Sequence, residues 1–234
     1  MRAAYDDYQF HLVFHALHNF CAVDLSALYL DILKDRLYTF APESLGRRAA
    51  QTALYEILVA LTKLMAPILS FTGDEVWERI PGTDRVESVH LTNFPEADAA
   101  WLDEALEGEW ERLLDVRREV AKALEMARQQ TGIGSSLEAR VTLEAAPELT
   151  ALLRGKEPEL APLFIVSQVA LGVASGDGLV RHRSDTLGVT VVVDRARGAK
   201  CERCWTYRET VGTDPAYPTL CDRCTAVLGF AAAP

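Results

Sequence analysis

Asp24-Leu25-Ser26-Ala27-Leu28-Tyr29-Leu30-Asp31-Ile32-Leu33-Lys34-Asp35-Arg36-Leu37-Tyr38 sets the character of the N-terminal half. Leu25, Leu28, Tyr29, Ile32 and Leu33 recur at i, i+3, i+4, i+7 and i+8, the apolar stripe of an amphipathic helix. Asp24 precedes that stripe and is expected to be an N-cap or a helix junction. Upstream, from about Tyr5 to Phe20, Phe10, Val13, Phe14 and Leu17 share one side of another helical segment. Downstream, Ala41-Pro42-Glu43-Ser44 breaks the period, and Ser44 can cap the next helix. That helix is expected to carry Ala50, Ala53, Leu54, Ile57, Leu58, Leu61, Leu64 and Met65 inward, with Pro67 ending or kinking it. Thr72-Gly73-Asp74-Glu75 matches a capping box opening a short helix through Trp77. Pro81-Gly82-Thr83-Asp84 is expected to turn, and the stretch to Phe94-Pro95 to be extended.

A long helix follows, with Leu102, Leu106, Trp110, Leu113, Leu114, Val120 and Leu124 on one face, until Gly132-Ile133-Gly134 stops it. Beyond it the period becomes extended. Arg140 to Leu143, Phe164 to Leu171 and Val189 to Val193 are the expected strands, and Pro147 to Leu153 an intervening helix. Gly176-Asp177-Gly178 signals a turn between the second and third strands. The predicted architecture is mainly α: a helical bundle over 1–130, a small α+β domain over 131–198 and a cysteine-rich module over 199–234.

The 234 residues, 49% hydrophobic and 25% charged, have an ordinary globular balance that excludes bulk disorder. Uninterrupted apolar runs such as Phe164 to Val166 are too short for a bilayer, so no membrane partner is expected. Asp6 and Asp7 stand where a signal peptide needs its apolar core, which predicts a cytoplasmic protein. A net charge of −10 argues against indiscriminate coating of nucleic acid.

Five cysteines are an odd number, and four of them fall in the tail: Cys201-Glu202-Arg203-Cys204, sixteen residues, then Cys221-Asp222-Arg223-Cys224. This spacing is that of a four-cysteine zinc site, because each C-x-x-C turn offers two thiolates and two turns fill a tetrahedral shell. Unpaired thiols or two local disulfides are the competing reading. The intervening Trp205, Tyr207, Val211, Tyr217 and Leu220 are too little core to hold a fold alone, so one structural Zn2+ is expected.

The charge reverses beside this site. Over 179–208, Arg181, Arg183, Arg195, Arg197, Lys200, Arg203 and Arg208 face only Asp185, Asp194 and Glu202, a local balance of +4. With His182, Trp205 and Tyr207 interleaved, such a strip can neutralise phosphates and stack an unpaired base. The alternatives are a solvated strand edge and a Trp205 that packs inside the zinc knuckle. His11, His15 and His18 share a helical face without a carboxylate to complete a metal site. Cys21 has no basic neighbour within a helical turn and reads as a small packing residue. Gly132-x-Gly134 follows a helix, not a strand, and there is no P-loop or nucleophile elbow, so no self-contained active site is expected.

Asp24 to Tyr38 resembles the signature helix of the anticodon-binding domain of bacterial isoleucyl-tRNA synthetases. Met65-Ala66-Pro67-Ile68-Leu69-Ser70-Phe71-Thr72 with Asp74-Glu75-Val76-Trp77 resembles the helices that follow in that domain. Ile133-Gly134-Ser135-Ser136-Leu137-Glu138-Ala139 is similar to the family's junction region, and Cys201-x-x-Cys204-Trp205 with Cys221-x-x-Cys224 to its terminal zinc module, a type shared with certain DNA glycosylases. The resemblance runs in order from near residue 5 to near residue 228.

It implies a class I synthetase anticodon-binding bundle with a junction domain and zinc module. The four cysteines carry over as zinc ligands. The implied partners are the anticodon arm of isoleucine tRNA and a catalytic domain of the same polypeptide. The ATP-site signatures and the editing domain are absent, so ATP would be used only in the parent, a class I isoleucine–tRNA ligase. Met1 is then an expression start, and the chain alone a non-catalytic, monomeric fragment. Two alternatives stand beside this. One is a nucleic-acid-binding protein of the DNA-glycosylase type, although Arg2-Ala3 replaces the catalytic proline that would follow Met1. The other is a zinc-stapled protein adaptor.

Overall fold

The computed structural model describes residues 1–82, 86–175 and 180–231. Met1–Leu102 and Asp103–Pro234 form two compact units.

The first unit contains α1 (Arg2–Asp6), α2 (Phe10–Asn19), α3 (Leu30–Thr39), α4 (Leu45–Met65) and α5 (Ser70–Arg79). Phe20–Tyr29 is a π-helix that joins α2 to α3 without a break. Asp24 therefore lies inside a continuous helix, at the junction of α2 and α3, and of the two expected roles the N-cap is the one it does not fill. Each i→i+5 turn takes up about one residue more than an α turn, so a stripe drawn at 3.6 residues drifts off one face. Of the signature stripe only Leu33 is buried. The run Phe10–Thr39 is 30 residues long, with a mean hydropathy of 1.3 in its most apolar window, enough by length and composition to cross a membrane. Uninterrupted apolar runs gave the opposite impression because His15, His18 and Asp24 punctuate it.

Ser44 caps α4 as expected, its Oγ accepting from the Arg47 amide at 3.4 Å. The α4 stripe is less buried than expected: Ala50 is enclosed, Ala53, Leu54, Ile57, Leu61, Leu64 and Met65 are half-buried, and Leu58 is exposed. α5 starts at Ser70 with Leu69 as its N-cap, so the capping box does not form and Thr72 sits within the helix. Asp74 instead accepts hydrogen bonds from Ser88 Oγ (2.6 Å) and the Val89 amide (3.2 Å). The Ser88 hydroxyl, with a lesser contribution from that amide, holds the Asp74 carboxyl below its ordinary range. This tether places Val89 against Ala66, Trp77 and Ile80 in a small core. It also makes Val89–Leu91 a 3-10 turn where extended chain was expected.

The second unit opens with α6 (Glu104–Thr131), capped by Asp103, whose carboxylate accepts from the Leu106 amide at 2.9 Å. Gly132 closes it at φ +70°, a left-handed conformation that glycine adopts without penalty. Next come β1 (Ala139–Ala145), α7 (Pro147–Gly155), α8 (Glu157–Phe164), β2 (Gln168–Leu171), β3 (Val180–Arg183) and β4 (Val189–Arg195). The strands form one sheet in the order β2-β1-β4-β3. β1 and β2 are parallel, Val141 opposite Val169, with α7 and α8 as the crossover. β4 runs antiparallel to both β1 and β3.

Val141, Leu143, Leu153, Leu160, Val189 and Val191–Val193 are essentially inaccessible to solvent. α6 lies over β3 and β4, burying Leu113, Val116, Val120, Ala123 and Ala127. Its contacts thus join the long helix to the sheet, although the sequence pattern had grouped it with the bundle. The strand expected over 164–171 is confined to Gln168–Leu171, because residues up to Phe164 form α8 with Pro158 in its first turn. β3 was not expected. Gly176-Asp177-Gly178 lies outside the described residues. The tail adds a ribbon of β5 (Ala199–Lys200) and β6 (Tyr207–Arg208), then α9 (Asp222–Ala231).

Candidate metal centre and nucleic-acid interface

Cys201 and Cys204 lie on the turn between β5 and β6, and Cys221 and Cys224 at the start of α9. All four are free thiols whose Sγ atoms lie within 4.8 Å of one another. Cys204 Sγ and Cys221 Sγ are 3.8 Å apart. A tetrahedron with metal–sulfur distances of about 2.3 Å has edges of about 3.8 Å, so the donor set fits a closed four-thiolate zinc site. Of the competing readings, unpaired thiols and local disulfides, the disulfides do not form. Cys201, Cys221 and Cys224 are buried and Cys204 half-buried, which leaves no open position for substrate.

The sulfurs are supported unequally. Burial would raise the Cys201 thiol, but the backbone amides of Cys204, Cys221 and Arg203 overcome this and bring it down to about 6. Burial also dominates at Cys224, which is pushed up to about 12 while the Arg203 side chain pulls the other way. Arg203 Nη1 donates to Cys224 Sγ at 3.6 Å, and Thr206 Oγ1 lies 3.0 Å from Cys204 Sγ. Neither Arg203 nor Thr206 was assigned to the metal site from sequence. The signal available was that residues within and just after a C-x-x-C turn lie closest to its thiolates.

The module is fastened to the sheet at the start of β2. Ser167 Oγ accepts from the Tyr207 amide at 2.7 Å. The Gln168 side-chain amide brackets the Arg197 backbone, donating to its carbonyl (2.9 Å) and accepting from its N–H (3.0 Å). Gly198, at φ +87°, passes so near β6 that a Cβ there would lie 2.3 Å from the Arg208 carbonyl carbon.

The basic strip divides into two groups. Arg181 pairs with Glu144 at 2.7 Å. Arg195 reaches the Thr131 carbonyl (3.3 Å) and lies 4.0 Å from Glu138. Arg203 serves Cys224, and Arg208 lies 3.8 Å from Asp222. His182 turns away from the strip, its Nε2 2.7 Å from the buried Glu119 of α6, which Lys122 also contacts. Arg183, Arg197 and Lys200 are exposed.

Trp205 is 61% exposed, so it is not the core of the knuckle, and Lys200 Nζ sits 5.5 Å from its ring centroid. Its backbone is left-handed at φ +66°, unusual for so bulky a residue, and its amide donates to the Cys201 carbonyl at 2.8 Å. On α2, His11, His15 and His18 are exposed, and the rings of His15 and His18 pack on Phe14. Among the described residues these histidines do not converge as metal ligands. Cys21 is exposed, where a buried packing role was expected.

Comparison with known proteins agrees with this geometry. Residues 198–227 match the model described as a zinc finger found in FPG and IleRS. The chain is 50% identical over 226 residues to an isoleucine–tRNA ligase of Syntrophotalea carbinolica, covering 96% of the chain and 24% of that protein. It is 49% identical over 229 residues to the corresponding ligase of Moorella thermoacetica and 47% over 230 residues to that of Desulforamulus reducens, with coverage of 96% and 97% of the chain. The chain thus spans about a quarter of the length of the curated relatives it matches. Residues 1–143 match the model of the anticodon-binding domain of tRNA ligases. With more than half of its length so matched, the chain belongs to the anticodon-binding domain family of tRNA ligases.

Proposed function

We propose that the chain is the tRNA-gripping portion of an isoleucine–tRNA ligase. It holds the anticodon arm of isoleucine tRNA so that the acceptor end reaches a catalytic domain carried elsewhere on the same polypeptide. ATP is consumed there and not here. Cys201, Cys204, Cys221 and Cys224 hold one structural zinc. The protein works in the cytoplasm as a monomer, and the exposed apolar side chains of α2 meet the rest of the polypeptide rather than a membrane.

Of the basic candidates, Arg183, Arg197 and Lys200 offer their charge to RNA phosphates. Arg181, Arg195, Arg203 and Arg208 are engaged within the protein. The observation that carries the reading is Trp205. A large indole held in a left-handed conformation, exposed, and lying beside a lysine is costly to keep there and suited to stacking on an unpaired base next to a phosphate.

Trp205→Ala tests this directly. One lost stack corresponds to about 1–3 kcal/mol, so binding to isoleucine tRNA should weaken roughly 5- to 150-fold with zinc content unchanged. Unchanged binding with intact zinc would refute the stacking role. Preference for duplex DNA over tRNA would favour the glycosylase type, and no nucleic-acid binding at all would favour an adaptor.

A further inference from the structure

The four sulfurs of the zinc module differ in what steadies them. Cys201 Sγ receives backbone N–H groups, among them that of Cys221 at 3.4 Å. Cys204 Sγ has the Thr206 hydroxyl at 3.0 Å. Cys221 Sγ has the backbone N–H of Cys224. Cys224 Sγ is buried in the first turn of α9, and the donor that reaches it is a side chain from the opposite knuckle, Arg203 Nη1 at 3.6 Å. Backbone donors survive every substitution except proline, whereas this one, like the Thr206 hydroxyl on Cys204, is carried by a replaceable side chain.

Charge points the same way. Four thiolates around Zn2+ leave a net −2 in a largely dry site, and a half-buried guanidinium against one of them offsets part of it. Arg203 also bridges the two halves of the module, since it sits inside the first C-x-x-C turn and donates to the last cysteine of the second.

Resting on the zinc reading above, we infer that Arg203 is a positioning residue of the metal centre: it fixes the Cys224 thiolate and thereby sets how long the metal is retained, and it is not an RNA contact. Outer-shell partners of metal ligands typically contribute about 10- to 100-fold in metal affinity, and that is the expected scale here.

The test uses the whole chain with three linked measurements on wild type, Arg203→Met and Arg203→Lys. Zinc transfer to a colorimetric chelator should be about 10- to 100-fold faster for Arg203→Met, with partial rescue in Arg203→Lys, which keeps a donor and a charge. In the cobalt-substituted protein the thiolate-to-metal charge-transfer band should move in Arg203→Met and return towards its wild-type position in Arg203→Lys. A loosened fold alone would not produce that pattern. At saturating zinc both variants should bind isoleucine tRNA as wild type does.

Equal zinc-release rates in all three proteins would overturn the inference. So would faster release with an unmoved cobalt band, or weaker tRNA binding with zinc in place, which would return Arg203 to the RNA face. Should Arg203→Met not fold, Arg203→Lys must still release zinc faster than wild type, and a wild-type rate would overturn the inference. A wild type prepared without chelator that holds no zinc would instead remove the metal reading itself.

Discussion

The helices of 1–102 and the sheet of 103–234 treat their apolar side chains in opposite ways. In the second unit β1, β4, α7 and α8 enclose Val141, Leu143, Leu153, Leu160 and Val191 almost completely. In the first, the fully enclosed apolar residues of α2, α3 and α4 are Val13, Leu33 and Ala50, while Tyr8, Phe10, Leu12, Phe14, Leu58 and Phe71 meet solvent. Apart from Leu106, Val173 and Trp205, every exposed large apolar side chain among the described residues belongs to the first unit. A sheet covered by helices closes a core within one chain segment, whereas the helices of the first unit leave many of their apolar side chains open.

Metal removal should separate the two units most strongly, because a structural zinc contributes on the order of 10 kcal/mol to a module of this size. Chelation should abolish hydrogen-exchange protection over 199–228 and leave that of β1, β4 and α4 intact. Loss of protection in β1 and β4 would mean that the sheet depends on the module. Next comes core truncation. Leu153→Ala, at a fully buried site, should lower stability by about 2–5 kcal/mol in urea unfolding. Leu58→Ala, at an exposed one, should stay within about 0.5 kcal/mol. Equal costs would remove the contrast between the units.

Gly198→Ala should act on the ribbon, since its Cβ has no room beside the Arg208 carbonyl and its backbone is left-handed. The expected outcome is weakened zinc retention with an unchanged first unit, read by chelator competition. The smallest effect is pH-dependent. Hydrogen bonds from Lys122 and then His182 hold the Glu119 carboxyl below its ordinary value. A depressed carboxyl contributes stability above the unfolded-state value of about 4.3 and loses it as pH falls through the folded-state value. Glu119→Gln should therefore flatten the acid limb of the second unit's stability profile and leave the first unit's unchanged.

What the sequence made legible follows from how local each cause is. Ser44 as a cap and Gly132 as a helix stop rest on neighbours a few residues away, the four-cysteine cluster was legible because its two C-x-x-C turns have a characteristic spacing, and all three are present. β3 was not placed as a strand because Val180-Arg181-His182-Arg183 buries only its first residue and so shows no apolar alternation, although a solvated strand edge was among the readings of the basic strip. α8 was not expected, and it carries Pro158 in its first turn and Pro162 inside it, residues that weigh against a helix when only neighbours are read. Asp74 was given to a capping box and found a partner fourteen residues on instead. The partners of Arg181 and Arg195, Glu144 and Thr131, lie 37 and 64 residues away, a separation no local pattern encodes. A basic strip could be counted from sequence, but its division between internal ion pairs and a free face could not.

The π-helical segment Phe20–Tyr29 carries a consequence for how this chain tolerates change in length. Its wide turns work as a gear change between α2 and α3, slipping the phase of everything that follows. One unbroken helix then packs on α1 through α2 and on α4 through α3, with Val13 and Leu33 as its enclosed apolar residues. Deleting a single residue there and relaxing the segment to ordinary α geometry would leave composition and helicity almost untouched. It would nonetheless rotate α3 by roughly a quarter turn about its own axis, at about 100° per residue, and misalign its inward side chains with α4. The length of this stretch, more than the identity of any one residue in it, is what the bundle has to keep.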